Sequence, residues 1–224
     1  MPLTIILVEC GLELIPEEIK NNPAIQKNIR NKSFPSKLLD NALHHSAMAK
    51  LRNVSKRGRP DIVHACLLNA LGSPLNKSRH LKLYVHTLDN IIYEINPEIK
   101  ISRNYDRFKG LMAKLLIEDE IKAENQLLIS KIKSNLSELL KSINCEEVIL
   151  FSSKGELVKN HFELFDQNLI KNYVGIVGCF QKGFFSDEIL LLSNKIVSIS
   201  QYSLDAWVVL SKIIGYYEIS NEIL

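Results

Sequence analysis

Short apolar runs recur along the chain, at Ile5–Val8, Leu83–His86, Ile91–Ile95, Val148–Phe151, Val174–Val177 and Ile196–Ile199. Most of them do not alternate with polar residues. A strand covered on one face alternates, whereas a strand covered on both faces reads as a continuous apolar run. The pattern therefore predicts an α/β fold built on a largely parallel sheet. Leu88-Asp89-Asn90 separates two of the runs and reads as a hairpin turn. Helical spacing fills the intervals. Glu17–Lys32 is a weak helical pattern. Tyr105–Leu116 carries Phe108, Leu111, Met112 and Leu115 on one face, and Leu127–Ile143 does the same with Ile129, Ile132, Leu136, Leu139 and Leu140. Leu204–Tyr217, with a cap expected at Ser203, is apolar nearly all round, which suits either a core helix or a subunit interface. Ile62–Leu71 fits a strand or a helix equally, because a short apolar run does not distinguish them.

A length of 224 residues suits one large α/β domain or a core domain with an insertion, and 46% hydrophobic residues allow a sizeable core. No apolar run approaches the ~20 residues of a membrane helix. Leu3–Val8 is too short for a signal segment and no basic residue precedes it, so a cytoplasmic protein without membrane association is expected. The four cysteines, Cys10, Cys66, Cys145 and Cys179, form no CxxC pair; buried thiols are expected rather than a disulfide or zinc site. His44-His45 is expected on the surface or facing RNA, and no metal site is expected.

The net charge of +3 is small, so a nucleic-acid face has to be local. One segment stands out. Lys20 to Pro60 holds ten Lys/Arg against a single acid, Asp40, and residues 28–60 read as irregular and basic. It ends in Lys56-Arg57-Gly58-Arg59-Pro60-Asp61. A charge run is ordinarily a solvated face. Here arginine dominates the tight spot, and its planar fork suits phosphates and base edges. Arg57 and Arg59 are therefore RNA-binding candidates, and Asp61 is placed to hold the Arg59 guanidinium.

Three loops follow C-terminal strands: Phe151-Ser152-Ser153-Lys154-Gly155, Val177-Gly178-Cys179-Phe180-Gln181-Lys182-Gly183 and Ile199-Ser200-Gln201-Tyr202-Ser203-Leu204. Ligands in open α/β sheets bind at the carboxyl ends of strands, and glycines there let backbone approach a ligand. None of the loops is GxGxxG or a P-loop, which disfavours a dinucleotide or ATP phosphate site. Backbone amides beside apolar side chains suit a purine with little negative charge. Ordinary turn glycines would also account for Gly178 and Gly183.

Taken together, Arg59-Pro60-Asp61-Ile62-Val63-His64, Ser73-Pro74-Leu75-Asn76, Val85-His86-Thr87, Ile95-Asn96-Pro97, Arg103-Asn104-Tyr105-Asp106-Arg107-Phe108 and Val197-Ser198-Ile199-Ser200-Gln201-Tyr202-Ser203-Leu204 occur in order. In this the chain resembles the nucleolar-essential-protein family of SPOUT-class methyltransferases, the pseudouridine-N1 enzymes of small-subunit ribosome assembly. The resemblance covers nearly the whole chain. It implies a single SPOUT-like domain over residues 1–224, with a C-terminal trefoil knot and basic extension elements. Within it, 147–217 would be the knotted cofactor half, and 28–60 with the hairpin-helix extension 83–117 would serve RNA. It also implies a homodimer, S-adenosylmethionine (SAM) as methyl donor, small-subunit rRNA as substrate, ribosomal assembly proteins as further partners, and a nucleolar location in a eukaryote.

Carried over by position, the cofactor-binding residues are Gly178, Gly183, Ile199, Ser200, Gln201, Tyr202, Ser203 and Leu204. The RNA-contacting residues are Arg59, Lys100, Arg103 and Arg107. Lys100 stands where arginine is common, keeping the charge without the fork. Cys179 and Gln181-Lys182 replace commoner small residues, so side-chain contacts there are not carried over. Arg59 and Asp61 form the catalytic pair, with Asp61 orienting Arg59; general base is the sharper alternative role for Asp61. A non-catalytic rRNA-binding assembly factor of the same fold is the competing reading. A SPOUT relative acting on another nucleoside gives no reason for the Arg-Pro-Asp and Arg-x-Tyr-Asp-Arg motifs.

Overall fold

The computed structural model describes residues 3–29, 37–166 and 171–223. In chain order its strands are β1 (Leu3–Cys10), β2 (Leu81–Thr87), β3 (Ile92–Ile95), β4 (Glu120–Ala123), β5 (Gln126–Ile132), β6 (Glu147–Leu157), β7 (Tyr173–Gly178) and β8 (Lys195–Ser198). Its helices are α1 (Pro23–Ile29), α2 (Asn41–Met48), α3 (Pro60–Gly72), α4 (Pro74–Lys77), α5 (Tyr105–Glu118), α6 (Leu136–Ile143), α7 (Asp187–Leu190) and α8 (Ala206–Ser220). All eight strands join one sheet in the order β4-β5-β3-β2-β1-β7-β6-β8. The block β2-β1-β7-β6-β8 is parallel, and β3, β5 and β4 extend it antiparallel.

The unbroken apolar strands have the two-sided burial that their composition predicts. Every residue of β1 is buried. Ile5 and Leu7 face a core shared with α3, α5 and α8, while Ile6 and Val8 face a second core shared with α6 and α7. Strands β6 and β7 divide the same way: Ile149, Phe151 and Val177 go to the first core, Leu150, Val174 and Ile176 to the second. A strand's period of two thus feeds two hydrophobic layers at once.

The structure corrects several expectations. Leu127–Ile143 is not one helix but β5 followed by α6. The break comes at Asn135, which forms a capping box with Glu138 and starts α6 afresh. Strand β4 went unread because its hairpin to β5 turns through Glu124 and Asn125, both with left-handed φ but with no glycine to announce them. Glu17–Lys32 is a short 3-10 turn, Glu17–Ile19, and then α1, which restarts at Pro23, a residue suited to a helix's first turn; residues 30–32 lie outside the described ones. Ile62–Leu71 belongs to helix α3, with Pro60 in its first turn. Helix α8 has Asp205, not Ser203, at its N-cap position, with no side-chain capping bond. Segment 28–60 is also more regular than its composition suggests. It holds α2, and a third cluster of Ile15, Ile19, Ile25, Leu39, Ala47, Met48 and Leu51 packs beneath it; residues 30–36 lie outside the described ones. His44 is fully buried in α2, with Nδ1 accepting from the Asp40 N–H, whereas His45 is exposed. Successive residues of an amphipathic helix point different ways, so the pair divides between core and solvent.

Strand β6 runs past its first pairing with β8. Phe151 pairs with Val197, residues 152–155 bulge away, and Glu156 returns to Val197. Gly155 makes the return possible: a Cβ there would stand 2.5 Å from the Val197 backbone nitrogen. The Gly155→Ala variant is expected to lose ~1–3 kcal/mol of stability, as overpacking a tight contact generally does. Urea unfolding measures this, and an unchanged midpoint would show that the crossing has slack.

Candidate active site

The parallel strands β6, β7 and β8 end on one edge of the sheet, and a cavity of about 390 Å³ opens there. That size lies within the range of small-molecule sites. Its apolar wall includes Phe151, Val177, Phe180, Phe185, Leu190 and Val209. Hydroxyls of Ser152, Ser153, Ser200 and Ser203 lie among them, with Lys154 and Lys182 on the same lining. Of the cofactor candidates, Gly178, Gly183, Ile199, Ser200, Tyr202, Ser203 and Leu204 all line the cavity, and Gln201 stands outside it.

Local bonding shapes the third loop. Ser198 donates its hydroxyl to the Ser200 carbonyl (2.7 Å), and the Tyr202 N–H donates to Ser200 Oγ (3.0 Å). Gly178 sits where β7 meets the cavity. A Cβ there would lie 2.8 Å from the Phe180 ring and 2.9 Å from the Phe185 ring. Gly183 has φ +128, a region that side-chain-bearing residues rarely adopt. The second loop therefore depends on its glycines, and its aromatic rings form the wall that sequence reading missed. The signal was present in the alternation of glycine and phenylalanine from Gly178 to Phe185.

The basic strip lies at the carboxyl end of β1. The Arg59 N–H donates to the Gly11 carbonyl (3.0 Å), and a Cβ at Gly11 would meet the Lys56 carbonyl oxygen at 2.4 Å. Arg59 and Asp61 form the expected bidentate pair: Nε to Oδ1 is 2.8 Å and Nη2 to Oδ2 is 2.6 Å. The hydrogen bond to Asp61 raises the Arg59 pKa further above its ordinary value. Arg57 has a different environment. Its fork closes on Glu13 (Nε–Oε1 2.9 Å, Nη2–Oε2 2.6 Å) and its side chain is largely buried. The guanidinium face that would bind a phosphate is thus engaged within the fold.

Lys100, Arg103 and Arg107 are exposed. The last two flank the start of α5, where Asn104 caps the helix by accepting from the Arg107 N–H (3.0 Å). Beneath them is a buried polar cluster. Tyr105 Oη donates to Asp40 Oδ2 (3.2 Å), Lys109 Nζ donates to the same oxygen (3.1 Å), and His64 stacks on Phe108 with ring centres 4.3 Å apart. Burial, with Asp40 and Asp61 nearby, pushes the Tyr105 phenol well above its usual range, while Arg59 pulls it down. Arg59 is thus near Tyr105, the first residue of α5, which Arg103 and Arg107 flank along the chain. Other motif residues are structural: the Asn76 side chain donates to the carbonyls of Leu71 and Pro97 (both 3.0 Å), tying the end of α3 to the loop before α5.

A pocket of small-molecule size at the ends of parallel strands, with Lys56 of the basic strip against its Phe180 wall, fits the SPOUT-class methyltransferase architecture that the resemblance implies. The EMG1/NEP1 methyltransferase family model matches residues 5–218. The chain is 41% identical over 221 residues to the ribosomal RNA small subunit methyltransferase Nep1 of Staphylothermus marinus, covering 95% of this chain and 94% of that one. It is 41% identical over 215 residues to the protein of the same name from Saccharolobus solfataricus, covering 95% of each. Among solved structures, Archaeoglobus fulgidus Nep1 bound to S-adenosylhomocysteine superposes with a TM-score of 0.87 at 36% identity, over 98% of this chain and 99% of that one. This chain belongs to the EMG1/NEP1 methyltransferase family.

The cavity fits S-adenosylmethionine, with a slot narrowed at Gly178 by two rings and lined by serines that suit a purine nucleoside, and with Lys154 and Lys182 on the same lining. Gly178→Val should displace both phenylalanine rings into the slot and weaken S-adenosylhomocysteine binding by more than about tenfold, roughly 1.4 kcal/mol or more. Calorimetric titration beside a thermal melt checks this. Normal affinity in a folded variant would move the pocket elsewhere.

Proposed function

We propose that this protein transfers the methyl group of S-adenosylmethionine to N1 of a pseudouridine in a loop of small-subunit rRNA. The observation that carries the reading is the basic strip of Lys56 and the Arg59–Asp61 pair, which meets the strand-end pocket where the Lys56 ammonium lies over the Phe180 ring. The relatives' names support the substrate class, and the S-adenosylhomocysteine in the Archaeoglobus structure is the product such a donor leaves. Bound in the pocket, SAM supplies an electrophilic methyl on a sulfonium. N1 of the target base attacks it, the carbon–sulfur bond breaks, and the N1 proton passes to water.

The protein's own part is to bind and position. Single-stranded loops are the usual targets of sequence-specific RNA readers because their bases can be splayed out. Lys100, Arg103 and Arg107 hold phosphates, and Arg59 holds the target nucleotide or a charge developing on its carbonyl. Asp61 orients Arg59. Both of its oxygens are engaged by the guanidinium, so taking up a proton would break two charge-assisted bonds. Holding the reactants in line is the main source of rate, worth roughly 7–11 kcal/mol in favourable cases. On this reading residues 147–217 are the cofactor half and are threaded as a trefoil knot; the close approach of Gly155 to the Val197 backbone is in keeping with a tightly threaded segment. The functional unit on this reading is a homodimer; the exposure of Phe184 and Tyr202 on the pocket lining and of Leu191 next to Leu190, at 73%, 74% and 85%, supports it. The rRNA substrate sets it to work where small subunits are assembled.

Two measurements test this. Labelled SAM offered with a short rRNA hairpin loop should transfer label when the target is pseudouridine and not when it is uridine. Tight binding of both loops without transfer would favour a non-catalytic assembly factor. Arg59→Ala should weaken binding of the pseudouridine loop by about 1–3 kcal/mol; an unchanged affinity by fluorescence anisotropy would remove Arg59 from the RNA face.

A further inference from the structure

A buried carboxylate stands at the carboxyl end of β1, where an otherwise apolar strand has no need of one. Glu9 is 6% exposed and adopts a left-handed φ of +53, a conformation unusual for a residue with a side chain. The turn is held by its own N–H, which donates to His86 Nδ1 (3.3 Å), while His86 Nε2 meets Asn90 Oδ1 (3.0 Å). Burial lowers the His86 pKa, which suits an imidazole whose Nδ1 accepts. So fixed, the carboxylate reaches two ways. Oε2 accepts from Lys56 Nζ (2.7 Å), and Oε1 accepts from the Ser186 N–H (3.2 Å).

These two partners belong to different sites. Ser186 ends the loop whose Phe180 and Phe185 wall the cofactor pocket. Lys56 begins the strip that carries Arg59, three residues on and pinned to Gly11. Lys56 also touches the pocket wall directly. Its ammonium lies 4.7 Å from the centre of the Phe180 ring, and Phe180 meets Phe185 edge-on at 5.5 Å. A Cβ placed on Gly183 would come within 3.5 Å of Lys56 Cε. One ammonium is therefore shared by the carboxylate, by the cofactor loop and, through three residues of backbone, by Arg59. Stability alone does not call for such a pair, since buried ion pairs are often matched or exceeded by apolar replacements.

We infer that the Glu9–Lys56 pair is a positioning device that couples the two sites, so that filling the cofactor pocket strengthens RNA binding at Arg59 and RNA strengthens cofactor binding. The inference rests on the function proposed above. A ligand against Phe180 and Phe185 orders that loop, the loop fixes Lys56, and Lys56 fixes the strip; the second ligand then meets residues already ordered. Linkage requires the effect to be equal in both directions.

The test is a thermodynamic cycle on the full chain. The affinity for S-adenosylhomocysteine is measured by calorimetry with and without saturating pseudouridine hairpin, and the affinity for the hairpin with and without S-adenosylhomocysteine. In the wild type each ligand should tighten the other by the same factor, at least about fivefold. Lys56→Met keeps the stem against Phe180 and removes the charge; it should bring the factor close to one. Lys56→Arg should retain it, which a role in packing alone would not require. Should Lys56→Met fail to fold in a thermal melt, because Glu9 is left buried and unpaired, the Glu9→Gln/Lys56→Met double variant removes both charges and replaces it. Wild-type protein that binds both ligands with no mutual effect overturns the coupling and leaves the proposed function standing. So does full coupling in the charge-removed variant. A hairpin that does not bind the wild type at all overturns the proposed function, and the coupling with it.

Discussion

The site depends on one close approach of backbone to backbone. Gly11, just beyond β1, has no side chain, and segment 56–59 lies across it with the Lys56 carbonyl where a Cβ would stand. That crossing, sealed by the hydrogen bond from the Arg59 N–H, brings a basic strip from a distant part of the sequence to the carboxyl end of the central parallel strands. The cofactor loop leaves the sheet at the same edge, where the Cys179 N–H bonds the Val8 carbonyl (2.9 Å). Displace the strip by the width of one methyl group and Arg59, Lys56 and the 178–186 loop lose their common reference. The surrounding apolar layers make the position firm, because β1 is clamped between two cores and does not yield.

Charge is distributed with the same economy. A net charge of +3 leaves little to spare, and the basic segment keeps much of its charge for itself. Arg57 is tied to Glu13 and Lys56 to Glu9, both at largely buried positions. Lys109 belongs to Asp40. These pairs stiffen the platform and contribute little to the field an RNA would feel. Lys100, Arg103 and Arg107 are exposed, and on the proposed function they carry that field, since exposed charges are the ones whose counterions can be released on binding. The density of positive charge along the sequence is therefore a poor guide to the charge displayed at the surface, since several of these cations are paired within the fold.

This difference explains what could be read from the sequence and what could not. The parallel strands were legible because burial on both faces leaves an unbroken apolar run. The Arg59–Asp61 pair was legible because its partners are two residues apart. Strands β4 and β5 were not, since their turn residues, Glu124 and Asn125, enter the left-handed region without a glycine and the strand that follows happens to share helical spacing with α6. Arg57 could not be told from Arg59, because its partner, Glu13, is 44 residues away. Glu9 and Gly11 carried a faint signal, a carboxylate and a glycine at the end of an apolar run, but their meaning lies in contacts with residues far along the chain. Long-range pairing is what a linear reading lacks.

On the proposed function, the geometry of Asp61 favours one of its two roles, orienting Arg59, over the other. A general base needs a free lone pair directed at the proton it takes, within hydrogen-bond reach. Asp61 gives one lone pair of each oxygen to the Nε and Nη2 of Arg59, at 2.8 and 2.6 Å, so a proton taken on either oxygen weakens that charge-assisted pair, and Arg59 is fixed in turn through its backbone on Gly11. Protonating Asp61 would release the arginine at the moment when its charge is needed. Removal of the N1 proton also asks little of a specific base, because nitrogen gains a proton-releasing positive character as the new carbon bond forms. What the reaction needs is nitrogen, methyl and sulfur in line in a site that excludes competing water. On the proposed function, an arginine held by a carboxylate serves that alignment. The carboxylate's contribution is the stiffness of the arginine.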